Sequence, residues 1–221
     1  MLNQGDGNLS LFNRQLRKPG GRSLRLNRAT RFERLIKLSR GDSSASTIIY
    51  ARRFLTRYPH HGPGWMTLGI ALIETAHYAE ARAALETALE FCPPTKQHRV
   101  FCQFGHLCRS EGDLHQAAAW FRRAVKLNPH EADTYIFLGG TLARLGYLRS
   151  AELIHRRGTE CTEGCVDEAY LNLGLVLRAQ GRYAEAAECC YQAIRIDPNY
   201  RAAKQLLCDV QRAERWNRPK D

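Results

Sequence analysis

Four stretches of this chain repeat one another, and no other property limits its possible folds so strongly. Trp65, Leu68, Gly69, Leu72, Ala81, Leu85, Ala88 and Pro93 form the first set. Phe101, Phe104, Gly105, Cys108, Ala117, Phe121, Ala124 and Pro129 form a second. Tyr170, Leu173, Gly174, Leu177, Ala186, Cys190, Ala193 and Pro198 form a later one. Between them run Tyr135, Leu138, Gly139, Leu142, Ala151, His155 and Gly158, with Glu163 where a proline would stand. Counted from the aromatic residue, the offsets are 3, 4, 7, 16, 20, 23 and 28.

Residues at i, i+3 and i+7 share one face of an α-helix, so each unit opens with a helix. The glycine at offset 4 and the alanine at offset 16 fall where two antiparallel helices approach closely. A larger side chain there would force them apart at a cost of about 1–3 kcal/mol. The closing proline lacks an N–H and ends the second helix. Gly112, Gly146 and Gly181 supply the residue that turns the chain between the two helices. Each unit is therefore helix–turn–helix.

These units resemble tetratricopeptide repeats, whose pattern W-x2-L-G-x2-[LY] … A-x3-[FL]-x2-A … P is met almost fully in three units and partly in the fourth. The copies cover residues 62–95, 98–131, 132–165 and 167–200. The resemblance implies an all-α, right-handed solenoid of antiparallel helical hairpins, with a concave groove that binds a peptide or protein segment. The flanks are expected to complete it. Residues 28–61 read as a degenerate leading repeat, with one helix over 28–38 and another over 44–58. Residues 201–216 read as an amphipathic capping helix, since a solenoid must cover its last apolar face. Residues 1–27 read as a basic, disordered tail, and 217–221 as a short second one.

The charge follows the same division. The net charge is +11 over 221 residues. Residues 1–40 hold ten basic against two acidic side chains and residues 201–221 six against three, which leaves the repeats balanced. A basic residue recurs at every third position in Arg22, Arg25, Arg28, Arg31, Arg34, Lys37 and Arg40. On a helix that series spirals around the axis and makes no clean stripe. Three readings stay open: a solvated tail with a leading helix, an arm for nucleic acid or an anionic membrane over residues 14–40, or a dock for an acidic partner. Only Phe12 and Phe32 could stack bases, which disfavours RNA readout.

No constellation for catalysis emerges, and an enzyme is not expected. Cys161-x3-Cys165 near His155 lacks the second ligand pair that a structural zinc site requires, so neither metal nor cofactor is expected. His60 and His61 read as exposed loop. No run approaches the roughly 20 apolar residues of a membrane span, and the first residues lack the pattern of a secretion signal. Most of the eight cysteines lie in apolar-periodic helices, where a reduced thiol behaves as a small hydrophobe. A cytoplasmic location is expected.

By resemblance, the groove is lined from the first helix of each unit. Carried across residue by residue, this nominates Met66, Ile70 and Ile73, then Cys102, His106 and Arg109. Ile136, Gly140 and Arg144 follow, then Leu171, Leu175 and Arg178. Family members that clamp the acidic C-terminus of chaperones use Lys and Asn where this chain has Met66 and Ile70, and Asn where it has Phe137, so that specialisation is not expected. The leading reading is a non-catalytic interaction module or scaffold for a partly hydrophobic, partly acidic peptide or protein segment. The alternative is a nucleic-acid-associated adaptor acting through the basic N-terminal segment. A structural reading also stays open, in which the nominated apolar residues pack between helices. In the third unit, His155, Gly158 and Glu163 are either ordinary repeat decay or a soft joint.

Overall fold

The computed structural model describes residues 27–41 and 43–217. Among them eleven α-helices follow one another in antiparallel pairs. The leading pair is α1 (Arg28–Ser39) and α2 (Ser44–Arg57). The first unit is α3 (Gly62–Glu74) and α4 (Tyr78–Phe91), and the second is α5 (Gln97–Glu111) and α6 (Leu114–Leu127). The third is α7 (Ala132–Arg144) and α8 (Leu148–Thr159), and the fourth α9 (Val166–Ala179) and α10 (Tyr183–Ile196). Helix α11 (Arg201–Asn217) packs on α9 and α10 and closes the stack. The expected all-α solenoid is what forms.

Local chemistry sets the helix ends. Asn27, Ser43 and Asp113 each accept a hydrogen bond from the backbone N–H three residues on, satisfying an otherwise orphaned donor. The turns use backbone with positive φ, at +90° in Gly112, +82° in Gly146 and +78° in Gly181. The first unit reaches the same conformation with Ala76 at φ +58°, a position that favours glycine.

The repeat residues build the core. Leu85, Phe121 and Cys190 are fully buried, as are the alanines Ala81, Ala117, Ala151 and Ala186. The close approach differs in one detail from the sequence expectation. In the first three units the offset-4 glycine faces chiefly the offset-20 side chain of its own unit. A Cβ on Gly69 would stand 2.7 Å from Leu85, and one on Gly105 would stand 2.5 Å from the Phe121 ring.

One further expectation is corrected. His61 is no exposed loop residue: its Nδ1 accepts from the Gly64 N–H, and its ring packs against Phe32 and Phe54 at 4.5 and 5.0 Å. Glu163 has a reason not to be proline. Its N–H donates to the His130 carbonyl at 3.2 Å and its own carbonyl accepts from the Ala132 N–H at 2.9 Å. Proline could make only the second bond. Asp133 then accepts from the Cys165 N–H at 2.8 Å, stitching the α8–α9 loop to the start of α7.

Candidate binding groove

The first helices stack side by side as α1 on α3 on α5, and again as α7 on α9 on α11. Between α5 and α7 the backbones stand further apart and aromatic side chains bridge them. The His106 ring lies edge-on to Phe121 at 5.3 Å and to Phe137 at 4.5 Å. Phe137 was not among the residues nominated from sequence. Its signal was present, as a large ring two positions beyond Tyr135 where the other units have Thr67, Gln103 and Asn172.

The nominated residues divide by exposure. Met66, Ile70 and Ile73 on α3 are half-buried, and Leu175 on α9 is 38% exposed. Cys102, Ile136 and Leu171 are buried between neighbouring helices. Cys102 sits deep enough for burial, reinforced by Glu131 and Asp133, to push its thiol up to about 12. A Cβ on Gly140 would meet nothing within 4 Å, so α7 leaves an opening beside Ile136 and Phe137.

Charge lies at the C-terminal ends of these helices. The half-buried Arg109 donates to His106 Nδ1 at 3.0 Å. Burial, and then the charge of Arg144, push Arg109 below its ordinary value. Burial and Arg109 together hold His106 at about 4, so its imidazole is neutral near pH 7. Arg178 lies 3.9 Å from Asp209, with both side chains well exposed. Arg109 and Arg144 are thus two neighbouring cations beside an apolar opening.

Models of the tetratricopeptide repeat match residues 63–95, 98–131 and 167–200, the first, second and fourth units. The chain carries tetratricopeptide repeats. It is 29% identical to human tetratricopeptide repeat protein 7A over 133 residues, covering 60% of this chain and 15% of that one. It is 32% identical over 101 residues to the probable biofilm formation methyltransferase WspC of Pseudomonas putida, covering 45% and 23%. The chain thus spans less than a quarter of the length of either relative. In fold it is similar to yeast Tom70, with a TM-score of 0.71 at 15% identity over 86% of this chain and 40% of that one. Tetratricopeptide repeats bind proteins or peptides and are in general non-catalytic scaffolds. Among the described residues no helix is long and apolar enough to cross a membrane. Of the basic N-terminal segment, residues 1–26 lie outside the described residues, and Arg28, Arg31, Arg34 and Lys37 stand on α1.

Proposed function

We propose that this tetratricopeptide repeat chain is an interaction module that holds a peptide or protein segment along α3, α5, α7 and α9. The segment's apolar residues rest on Ile70 and Leu175, and its acidic residues face Arg109 and Arg144. The observation that carries this is the pairing of an opening at Gly140 with two adjacent arginines that meet no carboxylate within ion-pair distance among the described residues. Apolar anchors supply affinity, while charges placed at the edge select the partner and its direction.

The test combines capture with a fold control. Ile70→Asp together with Leu175→Asp should abolish capture of binding proteins, scored by mass spectrometry against the unaltered chain. Helical circular dichroism should be retained and the melting temperature should change little, because Leu175 is exposed and Ile70 is only half-buried. Unfolding of the double variant would show that these residues belong to the core. Unchanged capture by a folded double variant would place the binding surface elsewhere.

A further inference from the structure

A second recess lies between the second helices of adjacent pairs, away from the stacked first helices. It is a cleft of about 570 Å³ between α2 and α4, floored by α3. Leu55, Trp65, Leu68, Leu72 and Ala84 give it apolar walls. The Arg52–Glu80 ion pair at 2.5 Å closes one end.

The next unit shows what such a cleft accommodates. Trp120 occupies offset 19, where the first unit has Ala84. Its ring stacks on Phe104 at 4.6 Å and approaches Phe101 at 5.8 Å. Phe101 and Phe104 hold the positions of Trp65 and Leu68 on the cleft floor. Trp120 packs against both core clusters that meet at α5, through Phe104 in one and Phe101 in the other. Arg123 then covers it, 4.3 Å above the ring, at the position where the first unit has Thr87. Reducing Trp120 to Ala84 and Arg123 to Thr87 leaves a tryptophan-sized site open on α2 and α4.

Charge indicates what carries the aromatic group. Helix α2 bears Arg52, Arg53 and Arg57 and no acidic residue. Among the described residues, Arg52 of the three is the one paired with a carboxylate. The rim on the α2 side is therefore positive, the α4 side carries Glu80, Glu86 and Glu90 against Arg82, and the floor between them is apolar. The hydroxyls of Thr56 and Thr87 donate to their own backbones at 2.9 Å, to Arg52 and Ala83, so neither hydroxyl's proton is offered to a ligand.

We propose that the α2–α4 cleft is a second binding site, which takes the ring of a tryptophan-sized aromatic residue within an acidic segment of a partner protein. The ring rests on Trp65 and Leu68 as Trp120 rests on Phe101 and Phe104, and flanking carboxylates face Arg53 and Arg57. Aromatic anchors in such recesses carry most of an interface's affinity. This site is distinct from the groove on α3, α5, α7 and α9.

The probes are three capped pentapeptides: Glu-Asp-Trp-Glu-Asp, the same with alanine for tryptophan, and Lys-Lys-Trp-Lys-Lys. Each is titrated into the full chain while the methyl resonances of Leu55, Leu68 and Leu72 are followed by NMR. The acidic tryptophan peptide should shift these methyls, and the other two should bind about tenfold more weakly or worse. Ala84→Trp should close the site and abolish the shifts. Thr87→Arg, at the exposed mouth, should do the same without altering the floor, and serves if the larger change perturbs folding. Arg53→Glu with Arg57→Glu should weaken binding about fivefold, the worth of two exposed ion pairs. Equal binding of the alanine peptide, or shifts confined to Ile70, Ile136 and Leu175, would overturn the proposal. So would cleft methyls that move with protein concentration alone, since a second copy would then be the occupant.

Discussion

The third and fourth units share one set of offsets yet solve the same packing problem differently. In the fourth, Gly174 faces small or yielding neighbours. A Cβ there would lie 3.2 Å from Leu206 Cδ2, 3.3 Å from the Ala186 carbonyl and 3.4 Å from Cys189 Cβ. In the third, a Cβ on Gly139 would lie 2.5 Å from His155 Cε1 and 2.6 Å from Nε2. That ring is 1% exposed, and its Nδ1 has no hydrogen-bond partner. The fourth unit is closed by α11, whereas the third is held by polar ties to its neighbours. A repeat can thus keep its shape while its stabilising chemistry moves from core to surface.

The largest test of this contrast is a matched pair of alanines. Gly139→Ala should destabilise the chain by up to about 2 kcal/mol, because the overpacking cost of about 1–3 kcal/mol is offset by a helix-propensity gain of about 1 kcal/mol. Gly174→Ala should fall within about 0.5 kcal/mol of the parent, since its contacts need shift only a few tenths of an ångström. Denaturant melts of the two variants decide the matter, and equal losses would break the comparison.

Replacing the unusual ring comes next. His155→Leu removes a buried nitrogen that has no partner and should stabilise the chain by about 1 kcal/mol near pH 7. It should also change the acid limb. Burial holds His155 at about 4, below its ordinary 6.5, so the unfolded chain takes up a proton more readily than the folded one. The stability this group contributes is complete above pH 6.5 and is lost as pH falls toward 4. Melts across that window should be less steep in His155→Leu, with the remaining slope due in part to His106, which is also held at about 4.

The sequence and the structure agree where one residue type has one mechanical task. The helix pairs, their glycine turns and the terminal cap were legible because periodicity and proline placement depend on backbone geometry, which every copy shares. The groove was less legible, because a first-helix position can face either solvent or the next unit. Ile136 and Ile70 hold nearby positions on equivalent helices, and only the first is buried. Ile136 is buried because α7 lies against α9, where Ala169 and Val166 close over it. The α2–α4 cleft escaped for a related reason. Offset 19 lies outside the consensus, so Ala84 and Trp120 draw attention only when their surroundings are compared.

The smallest expected effect concerns the ties between the two units. Glu152 on α8 accepts from Arg156 at 2.8 Å, from Arg182 at 2.8 Å and from Gln180 at 3.0 Å, joining α8 to the turn between α9 and α10. Burial raises its carboxyl, but these hydrogen bonds outweigh that and hold it at about 2. Its contribution is therefore complete above the ordinary 4.5 and is lost as pH falls toward 2. Glu152→Gln should cost about 1 kcal/mol and flatten that part of the acid limb. Hydrogen exchange adds the spatial test. If the third unit is the softer one, residues 148–159 exchange faster than 183–196 in the parent chain, and Glu152→Gln widens the gap. Equal protection of the two helices in both proteins would mean that neither the ring at His155 nor Gly158 loosens α8, and that the third unit departs from the repeat pattern without becoming a joint.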